Sequence, residues 1–171
     1  MKNNIILIGM MGCGKTTIAK GLAEKLPELK FVDIDEEIEK STQKSIPEIF
    51  LKHGEPFFRM LEQEKIKNFC KFDNQIISLG GGAFENEDNR NLALKSGHVI
   101  YLKASADEIF NRIKKETHRP LLKNNFSIEK ISSLIELRKH NYEKARYTID
   151  TTGKTPYNIV NEIIGVVYVD G

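Results

Sequence analysis

Cysteine is scarce in this chain: Cys13 and Cys70 are the only two in 171 residues. Two cysteines at that spacing make neither a disulfide scaffold nor a zinc site. A reducing compartment is the simplest setting for them. Long apolar runs are missing as well. The apolar run from Ile5 to Gly9 is too short for a secretory core, and Lys15 prevents its extension. No stretch approaches the ~20 apolar residues that a membrane-spanning helix needs. An excess of one charge is also missing. The 26 basic and 24 acidic residues leave a net charge of +2, which argues for no nucleic-acid or membrane partner. There is no internal repeat and no low-complexity linker. The length fits one domain, residues 1–171, with a sizeable core. The expectation is a soluble, cytoplasmic monomer.

What is present is a rhythm. Ile5–Ile8 is all apolar and mostly β-branched, as in a strand buried on both faces of a parallel sheet. Similar short runs recur at Lys30–Asp33, Gln75–Leu79, His98–Leu102 and Tyr147–Asp150. Helical patterns lie between them, at Thr16–Lys25, Ser45–His53, Glu62–Phe69 and, longest, Glu129–Ala145. Alternation of this kind predicts an α/β fold, a parallel sheet with helices on both faces. The polar, basic segment from Lys114 to Asn125, interrupted by Pro120, reads as a functional loop.

Gly9-Met10-Met11-Gly12-Cys13-Gly14-Lys15-Thr16 fits the phosphate-binding pattern G-x4-G-K-[ST], between a predicted strand and a predicted helix. Its glycines let backbone N–H groups face an anion, and the helix N-terminus adds about half a positive charge. Lys15 is expected on the β- and γ-phosphates and the Thr16 hydroxyl on Mg²⁺. Cys13 reads as a small loop residue, not a nucleophile. One absence and the short length narrow the class. There is no guanine-reading N-K-x-D. A GTPase or a motor is disfavoured, and a metabolite or nucleotide kinase favoured.

The acceptor side is fainter. Asp33-Ile34-Asp35 ends the second predicted strand, where ligands of parallel sheets gather. With i and i+2 on one side, one carboxylate can serve Mg²⁺ and the other an acceptor hydroxyl; alternatively Asp35 caps the helix that follows. Gly80-Gly81-Gly82 after the third strand permits a close backbone approach or makes a plain turn. Arg59 and Arg138 each offer a planar fork for a carboxylate, or are solvated surface charges.

Taken in order, these pieces resemble one family. The phosphate loop, Asp33-Ile34-Asp35, Ile49-Phe50, Gly54-Glu55, Phe58-Arg59, Glu62, the triple glycine, Arg119-Pro120-Leu121-Leu122 and Arg138 with Tyr142 are similar in order and spacing to shikimate kinase. The resemblance runs from Ile5 to about Pro156. The triple glycine and the Arg-Pro-Leu-Leu loop separate it from adenylate and gluconate kinases.

The resemblance implies a P-loop fold of the nucleoside monophosphate kinase type, with five parallel strands and a mobile lid at about residues 114–125. It implies a transferase of the shikimate pathway of aromatic amino-acid biosynthesis, which phosphorylates the 3-hydroxyl of shikimate with Mg·ATP. Lys15, Asp35 and Arg119 would be catalytic. ATP would meet Gly12, Cys13, Gly14, Lys15, Thr16, Thr17, Arg112, Arg119 and Lys154, with Pro156 also flanking the adenine. Shikimate would meet Asp35, Arg59, Gly80, Gly81, Gly82 and Arg138, and Glu62 would orient Arg59. Thr16 would ligate Mg²⁺, with Asp33 nearby through water. The family commonly has arginine where this chain has Lys154, which weakens adenine stacking there. Two rivals stay open: a gluconate-type or nucleotide kinase, and a non-catalytic nucleotide-binding module.

Overall fold

The computed structural model describes residues 3–115 and 127–168. Among these residues five strands form one sheet: β1 (Ile5–Ile8), β2 (Lys30–Asp33), β3 (Gln75–Ser78), β4 (His98–Lys103) and β5 (Tyr147–Asp150). Their order is β2-β3-β1-β4-β5, and every neighbouring pair is parallel. The helices are α1 (Lys15–Lys25), α2 (Ile34–Thr42), α3 (Ile46–Phe69), α4 (Glu87–Ser96), α5 (Ala106–Lys115), α6 (Ile128–Tyr142) and α7 (Pro156–Tyr168). This is the expected α/β sheet.

Strand periodicity sorts the core into two halves. Ile5 and Leu7 of β1 join Ile100 and Leu102 of β4 on one face, beneath Ile18, Ile109 and Ile163 of α1, α5 and α7. Ile6 and Ile8 join Val99 and Tyr101 on the other, beneath Ile38, Ile66 and Ala93 of α2, α3 and α4. All four β1 side chains are buried. At about 1.5–3 kcal/mol for each fully buried aliphatic side chain, the central strand anchors both layers. Helix α6 belongs to both, giving Ile131 to the first core and Tyr142 to the second. It therefore reaches round to the sheet's ligand-bearing end.

That end is set by topology. β1 leads to β2 on one side, yet β4 flanks β1 on the other, so the connections part at β1. Ligands of open α/β sheets bind outside the carboxyl ends of the strands at such a point. Gly9 follows β1, Asp33 ends β2 and Gly80 lies just beyond β3, so three candidate segments come to one edge.

Local chemistry adjusts three expectations. First, β2 stops at Asp33, and Asp35 lies in the first turn of α2. Asp33 caps that helix, its Oδ1 accepting from the amides of Asp35 at 3.0 Å and Glu36 at 3.4 Å. The cap is thus Asp33 and not Asp35, and the two carboxylates do not share a strand face. Second, the two helical patterns around residue 54 form one kinked element. Ser45 and Glu48 close a capping box at its start. Gly54, at φ 79 and ψ 172, breaks the helical path, and Pro56 follows in a new first turn, where its missing N–H is harmless. Third, α4 buries polar side chains: Asn89 donates to the Ala83 carbonyl at 3.1 Å and Arg90 to that of Phe84 at 2.9 Å. An apolar stripe does not announce such a helix.

Of the expected lid, residues 116–125 lie outside the described residues, and Arg119 with them. Among the described residues no helix is long and apolar enough to cross a membrane.

Candidate active site

The phosphate end is built from backbone. The first residues of α1 follow Gly14, which caps the helix at φ 100 and ψ 14. Gly12 stands at φ 75, a region that costs other residues about 1–2 kcal/mol. The first amides of a helix have no partner within it and offer themselves to an anion. Lys15 arches over the loop, its Nζ donating to the carbonyls of Gly9 at 2.8 Å and Met10 at 3.0 Å. The Thr16 hydroxyl donates to Asp33 Oδ2 at 3.3 Å. Thr17, next along α1, is exposed, and Cys13 is buried.

Arg112 of α5 ties this loop to its surroundings. It donates to the Cys13 carbonyl at 2.9 Å and pairs with Glu108 at 2.8 Å. Its second nitrogen lies 3.5 Å from the Thr151 carbonyl, at the end of β5. Lys154 is exposed and pairs with Glu162 of α7 at 2.6 Å, and Pro156 opens that helix.

The acceptor end is built from side chains around Gly80-Gly81-Gly82. A Cβ on Gly80 would stand 2.8 Å from Glu62 Oε1 and 3.2 Å from Asp35 Oδ1. A Cβ on Gly81 would stand 3.4 Å from Arg138 Nη1, and one on Gly82 only 2.5 Å from Arg59 Nη2. Each glycine leaves room for a different charged group. The triple glycine is therefore no plain turn.

Arg59 pairs with two carboxylates, one turn away on either side. Nη1 meets Glu62 at 2.8 Å; Nε and Nη2 meet Glu55 at 3.2 and 3.1 Å. The i,i+3 and i,i+4 spacings put both partners on Arg59's face of α3. These contacts use three of the five N–H groups of the guanidinium, which leaves donor capacity for a carboxylate. Arg138 of α6 donates through Nη1 to the Gly81 carbonyl at 3.1 Å. The Tyr142 hydroxyl, one turn further on, donates to that same carbonyl.

Burial tunes the acids. Asp35 is held above the ordinary aspartate range, first by burial and then by the nearby Asp33 charge, with Lys15 and Arg59 pulling the other way. Glu62 is 1% exposed and is likewise raised by burial, with Arg59 opposing. Asp35 Oδ1 and Glu62 Oε1 are buried and have no hydrogen-bond partner among the described residues. Both are the oxygens next to Gly80, so the edge holds acceptor capacity for donors from a ligand.

Most of the predicted side chains thus come to one edge: Lys15, Thr16, Asp33, Asp35, Arg59, Glu62 and Arg138. Sequence reasoning missed Glu55 as a second partner of Arg59 and the Tyr142 hydroxyl as a partner of Gly81. The four-residue spacings Glu55–Arg59 and Arg138–Tyr142 were the available signals.

The oxygens of Thr16 and Asp33 are hard donors suited to Mg²⁺, which keeps several waters and takes few protein ligands. Asp33 Oδ1 is occupied in capping while Oδ2 accepts from Thr16, so the pair fits such an ion. Among the described residues no group of three or more His, Cys, Asp or Glu could hold a metal by itself.

Comparison with known proteins bears on this arrangement. Residues 11–168 match a family model described as Shikimate kinase. A shikimate kinase of Persephonella marina is 46% identical over 162 residues, 95% of this chain and 97% of its own. A solved structure, shikimate kinase from Acinetobacter baumannii in complex with shikimate, superposes with a TM-score of 0.92. It is 33% identical, covering 99% of this chain and 95% of that one. A gluconokinase from Sinorhizobium meliloti, with a TM-score of 0.62 and 14% identity over 97% of this chain and 91% of its own, shares the fold alone.

Proposed function

The chain belongs to the shikimate kinase family, and we propose that it transfers the γ-phosphoryl group of ATP to the 3-hydroxyl of shikimate. The observation that carries this reading is the triple glycine with its four charged neighbours. Two arginine forks suited to a carboxylate, a half-buried aspartate suited to a hydroxyl and the Glu62 carboxylate lie around one short turn, beside the phosphate cradle. A hydroxy acid has both groups.

Phosphoryl transfer needs little covalent help. It needs in-line positioning and neutralised charge. The amides at the start of α1 and Lys15 receive the phosphates. Lys15 already sits on two loop carbonyls, so a small exchange of partners brings it to the β- and γ-oxygens. Thr16 and Asp33 would hold Mg²⁺, which would supply charge neutralisation to the phosphates. Arg112 and, more weakly, Lys154 with Pro156 flank the adenine. Arg119, outside the described residues, supplies a further positive charge in this reading.

On the other side, Arg59 and Arg138 fix the carboxylate and the Gly80–Gly82 backbone lies against the ring. Asp35 Oδ1 accepts from the attacking hydroxyl. Its raised affinity for protons makes it a stronger base than an exposed aspartate. Glu62 keeps Arg59 in place. The catalytic roles therefore fall to Lys15, Asp35 and Arg119.

All of these groups belong to one chain, so a monomer suffices. The two cysteines, both buried, accord with a cytoplasmic setting. The balanced surface charge gives nucleic acid and membrane no part.

Coupled ADP release from Mg·ATP tests the reading, with shikimate, gluconate and AMP each offered as acceptor. Strong stimulation by shikimate alone is expected. Stimulation by gluconate or AMP instead would overturn the acceptor assignment and keep the phosphate site. No stimulation by any of them would reduce the chain to a nucleotide-binding module.

A further inference from the structure

We propose that Tyr142 is a positioning residue for the acceptor: its hydroxyl holds the Gly81 carbonyl, which frees Arg138 to leave that carbonyl for the substrate carboxylate. The inference rests on Arg138 as a carboxylate ligand and deepens that reading.

Tyr142 is the largest fully buried side chain of the described residues, at 0% exposure. Its ring stacks on Tyr101 of β4, with centroids 4.9 Å apart and planes at 27°. The ring therefore has a fixed seat beneath the acceptor edge. Packing explains the ring and leaves the hydroxyl to be explained. A buried hydroxyl needs a partner, and this one donates to Gly81.

The Gly81 carbonyl has two lone pairs and two donors, Tyr142 and Arg138 Nη1. The donors differ in kind. Arg138 is half-buried with a long flexible stem, and it also lies 3.7 Å from Met10 Sδ. Tyr142 is held by its ring, with the Arg138 guanidinium beside its hydroxyl. When a carboxylate arrives, Arg138 exchanges one acceptor for another while Tyr142 stays. Without the tyrosine hydroxyl, that exchange would leave a carbonyl without a partner, and Arg138 would be retained on Gly81. The spacing from Arg138 to Tyr142 is one helical turn, so a single face of α6 supplies both the mobile and the fixed donor.

Tyr142→Phe keeps the ring and removes the hydroxyl. Measured with shikimate and with its neutral carboxamide, the variant is expected to raise the shikimate KM about tenfold, or ~1.4 kcal/mol. The KM for ATP and for the carboxamide should change less than about twofold, because neither uses the Arg138–carboxylate contact. Equal losses with acid, amide and ATP would mean a general packing role and overturn the proposal, as would no loss at all. Arg138→Ala, run alongside, tests the premise separately. If it keeps the preference for acid over amide, the arginine reading itself fails; if it loses the preference while Tyr142→Phe retains it, only the tyrosine role fails. A measurement on the unmodified protein guards against misfolding of the variant. The ¹³C carbonyl resonance of Gly81 should move when shikimate binds, as one of two donors leaves, and should remain in the hydrogen-bonded range. A resonance that does not respond to shikimate would contradict the exchange.

Discussion

The two glycine-rich turns at the sheet edge use the same residue for opposite reasons. In the phosphate loop Gly9, Gly12 and Gly14 all have positive φ. Conformation requires them, and what they present is backbone. In the acceptor turn none of Gly80, Gly81 and Gly82 is among the positive-φ residues. Space requires them, and what they present is room for Glu62, Asp35, Arg138 and Arg59. A nucleotide tail can be gripped by amides alone. An acceptor must be told from others of its size, and that takes side chains with fixed partners.

The sharpest contrast comes from removing charge at each turn. Lys15→Met should lower kcat by about 10³-fold or more, the scale of losing one preorganised charge on a transferring phosphoryl group. The fold should survive, since the strongest contacts of the Lys15 ammonium are to loop carbonyls. Steady-state rates with circular dichroism check both halves. Arg138→Ala should raise the shikimate KM by about 30- to 100-fold, the cost of losing a charged partner of a bound carboxylate. Its ATP KM should hardly move. Unchanged acceptor kinetics would take Arg138 out of the site.

Adding one methyl group tests the glycines themselves. Gly12→Ala must pay for a left-handed conformation and for a Cβ 2.7 Å from Ile113. A loss of about 2 kcal/mol, or ~4–8 °C in Tm, is expected, with ATP binding weakened. Gly82→Ala pushes only the end of the Arg59 side chain, 2.5 Å away. Its Tm should fall by no more than about 2 °C while the shikimate KM rises about tenfold. If Gly82→Ala unfolded the protein as readily as Gly12→Ala, the distinction between conformation and space would collapse.

The mildest test is pH. Asp35 is raised above its ordinary 3.8, chiefly by burial. As a proton acceptor it must be ionised, so kcat/KM should fall on the acid side at a pH above that of an exposed aspartate. Stability runs the other way. The folded state holds this proton more tightly than the unfolded state, so stability falls as pH rises from the unfolded to the folded pKa. Above the latter the penalty is complete. Asp35→Asn removes it, and should raise Tm slightly at neutral pH while removing most activity.

Much of this was legible in the sequence because the strands are short, apolar and buried on both faces. All five lie where their apolar runs predict. The phosphate loop was legible because its chemistry is local. Helix α4 was not, because it buries Asn89, Arg90 and Ser96 instead of an apolar stripe. Gly54-Glu55-Pro56 looks like a loop in sequence and delays the predicted helix to Glu62, whereas Pro56 stands in a first turn. Asp33 and Asp35 were placed on one strand face because the β2–α2 boundary falls between them, and a cap at that boundary depends on tertiary position. The acceptor turn was legible as a place for close backbone approach, but its charged partners were recognisable only through family resemblance. Its partners come from α2, α3 and α6, and no spacing along the chain reveals that convergence.

Identifying the phosphorylated product tests the central claim most directly. After incubation with Mg·ATP and shikimate, proton-coupled ³¹P NMR should show one new phosphate ester, coupled to the proton on C3 of shikimate, with ADP in equal amount. A phosphate on another hydroxyl, or inorganic phosphate with no ester, would contradict the account of how Asp35 and the two arginines hold the acceptor.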